Sequence, residues 1–202
     1  KNSELYNNLQ KRFINKIKHN FDQDLFNKKI ARLKKLKVLL VGETIIDKYV
    51  FCEAIGKSGK DISTENAWDH IAGLCVGQDI SDRVVQFAAK PPQFNLGKSF
   101  DTFGPMGPYL VSPDCLEDKN NLKIVCKVNG EIRQSDNTND LIFDIPAIVK
   151  YLSEIVSLNV GDVIFTGTPG GVGVMEGKFL KEGDVLTTTI EGLGTLENKC
   201  KR

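Results

Sequence analysis

No apolar run in the sequence approaches the roughly 18 residues needed to cross a bilayer, and the opening KNSELYNNLQKRF lacks an apolar stretch. Neither a membrane span nor a secretory signal is therefore expected. A start at Lys1 rather than Met reads as a chain trimmed or cut from something longer. An excess of one charge is missing too. The 27 Lys plus Arg face 26 Asp plus Glu, a balance that argues against a dedicated nucleic-acid or membrane-surface protein. Cysteine is sparse and scattered, at Cys52, Cys75, Cys115, Cys126 and Cys200, with no CxxC pair. Neither a zinc site nor a disulfide framework is indicated; ordinary buried thiols in a reducing cytoplasm are the expectation. Core-forming residues are not lacking. Hydrophobic side chains make up 41% of 202 residues, enough for one large domain or two small ones.

The texture changes along the chain. Residues 1–37 are rich in Lys, Arg and Asn, and Leu5, Leu9, Phe13, Ile17 and Phe21 recur at helical spacing, which predicts one or two basic amphipathic helices with a solvated charged face. LKVLLVGETIIDKYVF follows, rich in β-branched residues and broken at Gly42-Glu43; it reads as two strands joined by a short turn. Ser58-Gly59-Lys60-Asp61 is turn-like and marks a boundary, so the chain divides into 1–37, 38–61 and 62–202. From Ile62 onward short strands and glycines dominate. Ser63 can cap a short helix through His70, and Ile71–Ile80 reads as a strand. KIVCKV-NG-EIRQ predicts a hairpin, because Asn129-Gly130 supplies the two positive-φ residues of a type I′ turn. Asp144 predicts a helix N-cap with Pro146 in the first turn, and its buried stripe would be Ile148, Val149, Leu152, Ile155 and Val156. LNVGDVIFT and LKEGDVLTT each place a Gly-Asp turn before a strand. One helix among many short strands predicts a β-rich α+β domain.

Three segments are unusually polar for their apolar flanks: GQDISDR from Gly77 with Gln86 beyond it, GKSFDTFGP from Gly97, and TGTPGGVG from Thr166. Each has a plain reading by itself. Asp79 could cap a turn, Lys98 could be a surface charge, and the glycine string could be a bare connection. The GKS triplet is not a P-loop, since the first glycine and the spacing are missing.

Together these words, in this order, resemble the fumarylacetoacetate hydrolase family over about 140 residues: AWDHIAGLCVGQDISDR, Gln86, LGKSFDTFGPMGPYLV, VNGEIRQ, LSEIVSLNVGDVIFTGTPGGVG, LKEGDV and IEGLGTLENK. The resemblance implies a mixed β-sandwich roll and a divalent-metal-dependent hydrolase of C–C bonds in 2-oxo acids. Decarboxylation, hydration or isomerisation on the same metal-enolate chemistry stays open, as does a catalytically dead fragment that binds metal or a dicarboxylate. It implies Asp79 as a metal ligand, Lys98 and Thr102 beside that metal with Lys98 also facing substrate, and Gln86 and Thr168 as substrate contacts. Hard oxygen ligands suit Mg²⁺, with Mn²⁺ or Ca²⁺ as alternatives. The implied partner is a small 2-oxo acid, with no nucleic acid or membrane; a homodimer is one assembly to expect. The family's histidine base lies on an upstream lid, so His70, close before Asp79, is expected to be structural, and His19 has no visible partner.

The resemblance breaks upstream. The family's Glu-x-Glu metal ligands fall at Lys48 and Val50 when counted from Ile55-Gly56-Lys57, and Glu53 and Asp47 are out of register. LKVLLVGETIIDKYVFCEAIGKSGK instead resembles the first strands of ribokinase-like sugar kinases, heptose kinases especially, with Asp47 at a sugar-contacting position. The rest of a kinase is absent, so kinase activity is not expected. The expectation is a chimera joined near Gly56 to Asp61, with a divergent family N-terminus as the alternative and a poor catalyst as the consequence.

Overall fold

The computed structural model describes residues 38–40 and 51–201, with the side chains of 52–201. The predicted helices of residues 1–37, and Asp47, Lys48 and Val50 within the kinase-like segment, lie outside the described residues. The described residues belong to one compact unit.

Among the described residues nine strands form two sheets. The first has the order β1-β7-β2-β3-β4, from β1 (Val38–Leu40), β7 (Val163–Gly167), β2 (Phe51–Ile55), β3 (Ile71–Gly77) and β4 (Met106–Val111). Its β1–β7 pairing is parallel and the others are antiparallel. The second sheet is antiparallel, in the order β6-β5-β8-β9, from β6 (Glu131–Asn137), β5 (Lys123–Val128), β8 (Val185–Ile190) and β9 (Gly194–Lys199). The expectation of a β-rich α+β fold holds for the described residues. Of the two strands expected in LKVLLVGETIIDKYVF, the first contains β1, and the second, after Gly42-Glu43, lies outside the described residues except for Phe51; β7 lies between β1 and β2 in the sheet.

Strand period sets what the first sheet buries. Leu74 and Val76 of β3, Ile55 of β2 and Ile164 of β7 face the main core, where they meet Ile124 and Ile190 of the second sheet and the helix α2 (Ile145–Ile155). Cys75, Cys52, Val163 and Phe165 form a smaller cluster on alternate positions of the same strands, as a two-residue repeat requires.

Local signals act as their chemistry dictates. Asn129 and Gly130 take φ of 51° and 83° and join β5 to β6. Asp144 caps α2 by accepting a hydrogen bond from Ala147 N at 2.8 Å. The buried stripe of α2 is Ile145, Val149, Leu152 and Ser153, so the expected stripe is corrected at its end: Ile155 is 60% exposed and Val156 is exposed. The last turn instead turns Ser153 inward, where Ser153 Oγ accepts from Ile62 N at 2.9 Å and its carbonyl from Asp61 N at 3.0 Å. The two Gly-Asp phrases build the same turn. Asn159 N donates to Asp162 Oδ2, and Lys181 N donates to Asp184 Oδ2, each at 2.8 Å. Residues 64–70 form the expected short helix, of 3-10 type, but the Ser63 side chain makes no capping hydrogen bond. No helix among the described residues is long and apolar enough to cross a membrane.

Candidate functional site

Strand β3 stops at Gly77, short of the expected Ile80, and delivers Gln78 and Asp79 to opposite sides. Gly77 is packed against its neighbours: a Cβ there would lie 2.7 Å from a Phe165 ring carbon and 3.2 Å from Cys52 Sγ. Gln78 reaches across to the second sheet. Its Nε2 donates to Thr188 Oγ1 at 3.1 Å and lies near the Leu196 and Leu186 carbonyls, while its Oε1 accepts from Asn198 Nδ2 at 2.8 Å. That anchorage fixes the backbone from which Asp79 projects the other way.

Asp79 is 2% exposed and forms an ion pair with Lys98 Nζ, itself buried. Burial pushes the Asp79 carboxyl above its ordinary range, and the Lys98 ammonium draws it part of the way back. Loss of hydration outweighs the attraction of the pair, as is common for buried charges.

Lys98 ends a 3-10 turn, Leu96–Lys98, that is nested against the short helix α1 (Arg83–Gln86). Asp82 caps α1 through Val85 N at 2.9 Å and donates its own N–H to the Gly97 carbonyl at 2.7 Å. Glycine at Gly97 permits this close nesting, since a Cβ would sit 3.0 Å from the Asp82 carbonyl and 3.3 Å from Gln86. The nesting brings Gln86 beside the lysine turn. Gln86 is buried, with Oε1 accepting from the Arg83 guanidinium; burial draws that guanidinium down to about 10.

Of the residues singled out from sequence, Asp79 and Lys98 therefore meet directly, and Gln86 packs on the glycine preceding Lys98. Thr102 follows on an exposed turn with φ of 71°. Thr168 belongs to a different support: its Oγ1 accepts from Gln134 Nε2 of β6 at 2.9 Å, and the Pro169 carbonyl accepts from the same amide at 2.8 Å. The glycine string lies hard on that strand, since a Cβ on Gly171 (φ 94°) would fall 2.0 Å from the Arg133 carbonyl. His70 is structural in its setting, buried with Nδ1 2.8 Å from the Lys57 carbonyl. Sequence reasoning gave no role to Gln78 or Gln134, although each sits inside a quoted motif.

A recess of about 350 Å³ opens behind the glycine string, between the β5–β6 hairpin and residues 171–184, and is lined by Arg133, Lys178 and Lys181 among others. Neither Asp79, Lys98 nor Gln86 lines it. Within it Lys178 lies 3.1 Å from Glu176 and 3.7 Å from Glu131, while Arg133 makes longer ion pairs, 3.6 Å to Glu131 and 3.8 Å to Glu176.

The described residues do not fit a divalent cation. No group of three or more His, Cys, Asp or Glu side chains converges among them, and Asp79 spends its charge on Lys98. Glu53 cannot substitute. Its cross-strand partners Leu74 and Ile164 face the main core, so its side chain does too. Both Glu53 oxygens are buried without a hydrogen bond, and burial holds the carboxyl well above its ordinary range.

Known proteins share this arrangement of strands and loops. The family model for the fumarylacetoacetate (FAA) hydrolase C-terminal domain matches residues 53–201, from the middle of β2 onward. The chain is 47% identical over 146 residues to the mitochondrial oxaloacetate tautomerase fahd2 of Xenopus laevis, covering 71% of this chain and 46% of that one. Among solved structures, fumarylacetoacetate hydrolase from Exiguobacterium antarcticum superposes with a TM-score of 0.71 at 38% identity, covering 79% of this chain and 58% of that one. Fumarylpyruvate hydrolase from Pseudomonas aeruginosa, in complex with Mn²⁺ and pyruvate, gives 0.68 at 30% identity, covering 81% and 73%. The chain spans about half the length of the curated relatives it matches. The sugar-kinase resemblance of residues 38–61 gains no support. With the match running through both sheets, and through the segment that pairs Asp79 with Lys98, the chain belongs to the fumarylacetoacetate hydrolase family of enzymes.

Proposed function

We propose that this chain is the 2-oxo-acid-binding domain of a keto–enol tautomerase, with an incomplete divalent-metal site. The observation that carries the reading is the buried Asp79–Lys98 pair directly after β3, in a domain so similar to an oxaloacetate tautomerase. Lys98 supplies a fixed positive charge where an enolate oxygen gains negative charge, and a preorganised charge in a dry site is worth far more than in water. The Gln86 amide and the Thr168 hydroxyl are suited to substrate carboxylates or carbonyls, and the backbone N–H groups of the glycine string add an anion cradle. Mg²⁺ or Mn²⁺, when bound in the complete enzyme, supplies Lewis-acid polarisation. Asp79 is committed to Lys98 here, and no step of this chain is built on the ion. A mitochondrial setting like that of the Xenopus relative is as compatible with this chemistry as a cytoplasmic one.

A hydrolase is the second reading, favoured by the likeness to two solved hydrolases. The test follows loss of the enol absorbance of oxaloacetate, and pyruvate release from an acylpyruvate, each with and without Mg²⁺ or Mn²⁺. The unmodified chain is expected to be about 10- to 100-fold or more below a version carrying Lys48→Glu and Val50→Glu, since loss of even outer support of a metal site costs that much. Faster ketonisation without pyruvate release supports the tautomerase, and pyruvate release the hydrolase. Full turnover of the unmodified chain, unchanged by Lys98→Met, would overturn the reading.

A further inference from the structure

Cys52 and Cys75 are register partners, directly opposite on the antiparallel strands β2 and β3. Their sulfurs lie 2.7 Å apart, and Cys52 Sγ is also 3.5 Å from the Cys75 carbonyl. Directly opposed residues on antiparallel strands have Cα atoms about 4.5–5.5 Å apart, inside the range of about 4.4–6.8 Å that a disulfide spans. Closing the sulfurs to a bond of about 2.05 Å needs a movement of roughly 0.7 Å. Their setting is apolar: Val163, Phe165, Ala54 and Met106 surround them, and none of these competes for the thiols.

We propose that Cys52 and Cys75 form a two-electron oxidation site, converted by a small oxidant such as hydrogen peroxide into a cross-strand disulfide that fastens β2 to β3 four residues before Asp79. The two sulfurs have different roles. Cys75 is 7% exposed and Cys52 wholly buried, so peroxide meets Cys75 first. The hydrogen bond from Cys52 favours the thiolate at Cys75 and pushes the Cys52 thiol up, an effect that burial reinforces. Thiolate is the reactive form.

Cys75 sulfur attacks one peroxide oxygen, the O–O bond breaks, and hydroxide leaves with the Cys75 proton as water. Cys75 is then a sulfenic acid. Cys52 sulfur attacks Cys75 sulfur; the S–S bond forms, the S–O bond breaks, and the departing hydroxide takes the Cys52 proton. Two thiols and one peroxide give one disulfide and two waters. The buried pair excludes bulky thiol-exchange proteins, which is why the oxidant must be small.

The experiment uses the full chain with Cys115→Ser and Cys200→Ser, so that the exposed and half-exposed thiols do not react. After peroxide, alkylation under denaturing conditions and peptide mass mapping without reductant follow. Two of the three remaining thiols should disappear, in one linked peptide pair containing Cys52 and Cys75 and lighter by two hydrogens. Dithiothreitol should restore both. Adding Cys52→Ser should abolish the link and leave Cys75 trappable by dimedone. Separate alkylated peptides for Cys52 and Cys75 after peroxide, or a link that includes Cys126, would overturn the proposal.

Discussion

Two buried carboxylates near one another in sequence space have opposite fates. Asp79, where β3 leaves the first sheet, is paired with Lys98. Glu53, in the middle of β2, is wholly enclosed by the main core with neither oxygen bonded. Burial raises the proton affinity of both, yet only Asp79 has a cation to compensate it. A carboxylate at a loop end can be met by a side chain from another loop. One in an interior strand can meet only what the facing layers present, and at Glu53 these are aliphatic. Asp79 thus reads as a site placed in the fold, and Glu53 as a residue the fold tolerates in protonated form.

The largest effect is expected from breaking the pair. Lys98→Met leaves Asp79 buried and uncompensated, and should cost about 3–5 kcal/mol of stability near neutral pH. The cost should shrink on acidification and level off below the ordinary Asp value of 3.8, where the carboxyl becomes neutral in both states. Urea unfolding at several pH values measures it. A cycle adding Asp79→Asn should recover most of the loss; additive losses would mean that the two side chains do not act as a pair.

Removing the unpartnered carboxyl should do the reverse. Glu53→Leu keeps a similar volume, fits among Leu74 and Ile164, and should stabilise by about 1–3 kcal/mol. The sign of the pH effect follows from the raised folded value. Glu53 contributes its full stability below the ordinary value of 4.5 and loses it as pH rises toward the raised folded value. Within that window the wild type should lose up to about 1.4 kcal/mol per pH unit relative to Glu53→Leu. Parallel pH profiles for the two proteins would show that Glu53 reaches solvent or a partner.

What was legible in the sequence was local. The Asn129-Gly130 turn, the Asp144 cap and the two Gly-Asp turns depend on a few adjacent residues whose φ values or short side chains decide the outcome. The α2 stripe was legible until its last turn, where the docking of residues 59–62 on Ser153, not periodicity, chose the buried side. Insertion of β7 between β1 and β2 left no local trace, because more than 100 residues separate β7 from them. The Cys52–Cys75 pairing was hidden for the same reason, at a separation of 23. For the site, motif order suggested that Asp79 and Lys98 belong together, but the plain reading of Lys98 as a surface charge is displaced only by the turn at Gly97. The two-residue strand period already put Glu53 out of register with the missing Glu-x-Glu pair, and the main core is where that register sends it.

The smallest effect sharpens the comparison from the solvent side. Asp184 is partly exposed, and Asn129 Nδ2 donates to its Oδ1 and Lys181 N to its Oδ2, each at 2.8 Å. The bond from Asn129, then that from Lys181, holds the carboxyl below its ordinary 3.8. Its stability contribution is therefore present above that value and lost as pH falls through the lowered one, the opposite sign to Glu53. Asp184→Asn keeps one accepting oxygen and loses the other and the charge. Water competes for both bonds, so the expected cost is only about 0.5–1 kcal/mol at neutral pH. The difference should vanish in the most acidic range, and salt should reduce it further. Thermal unfolding from pH 2 to 7 at low and high salt, beside the Glu53→Leu series, reads both signs in one protein. A cost at Asp184 that grows on acidification would mean that hydrogen bonds to a partly exposed carboxylate do not set its titration here, and that the contrast between the buried carboxylates and this one needs another cause.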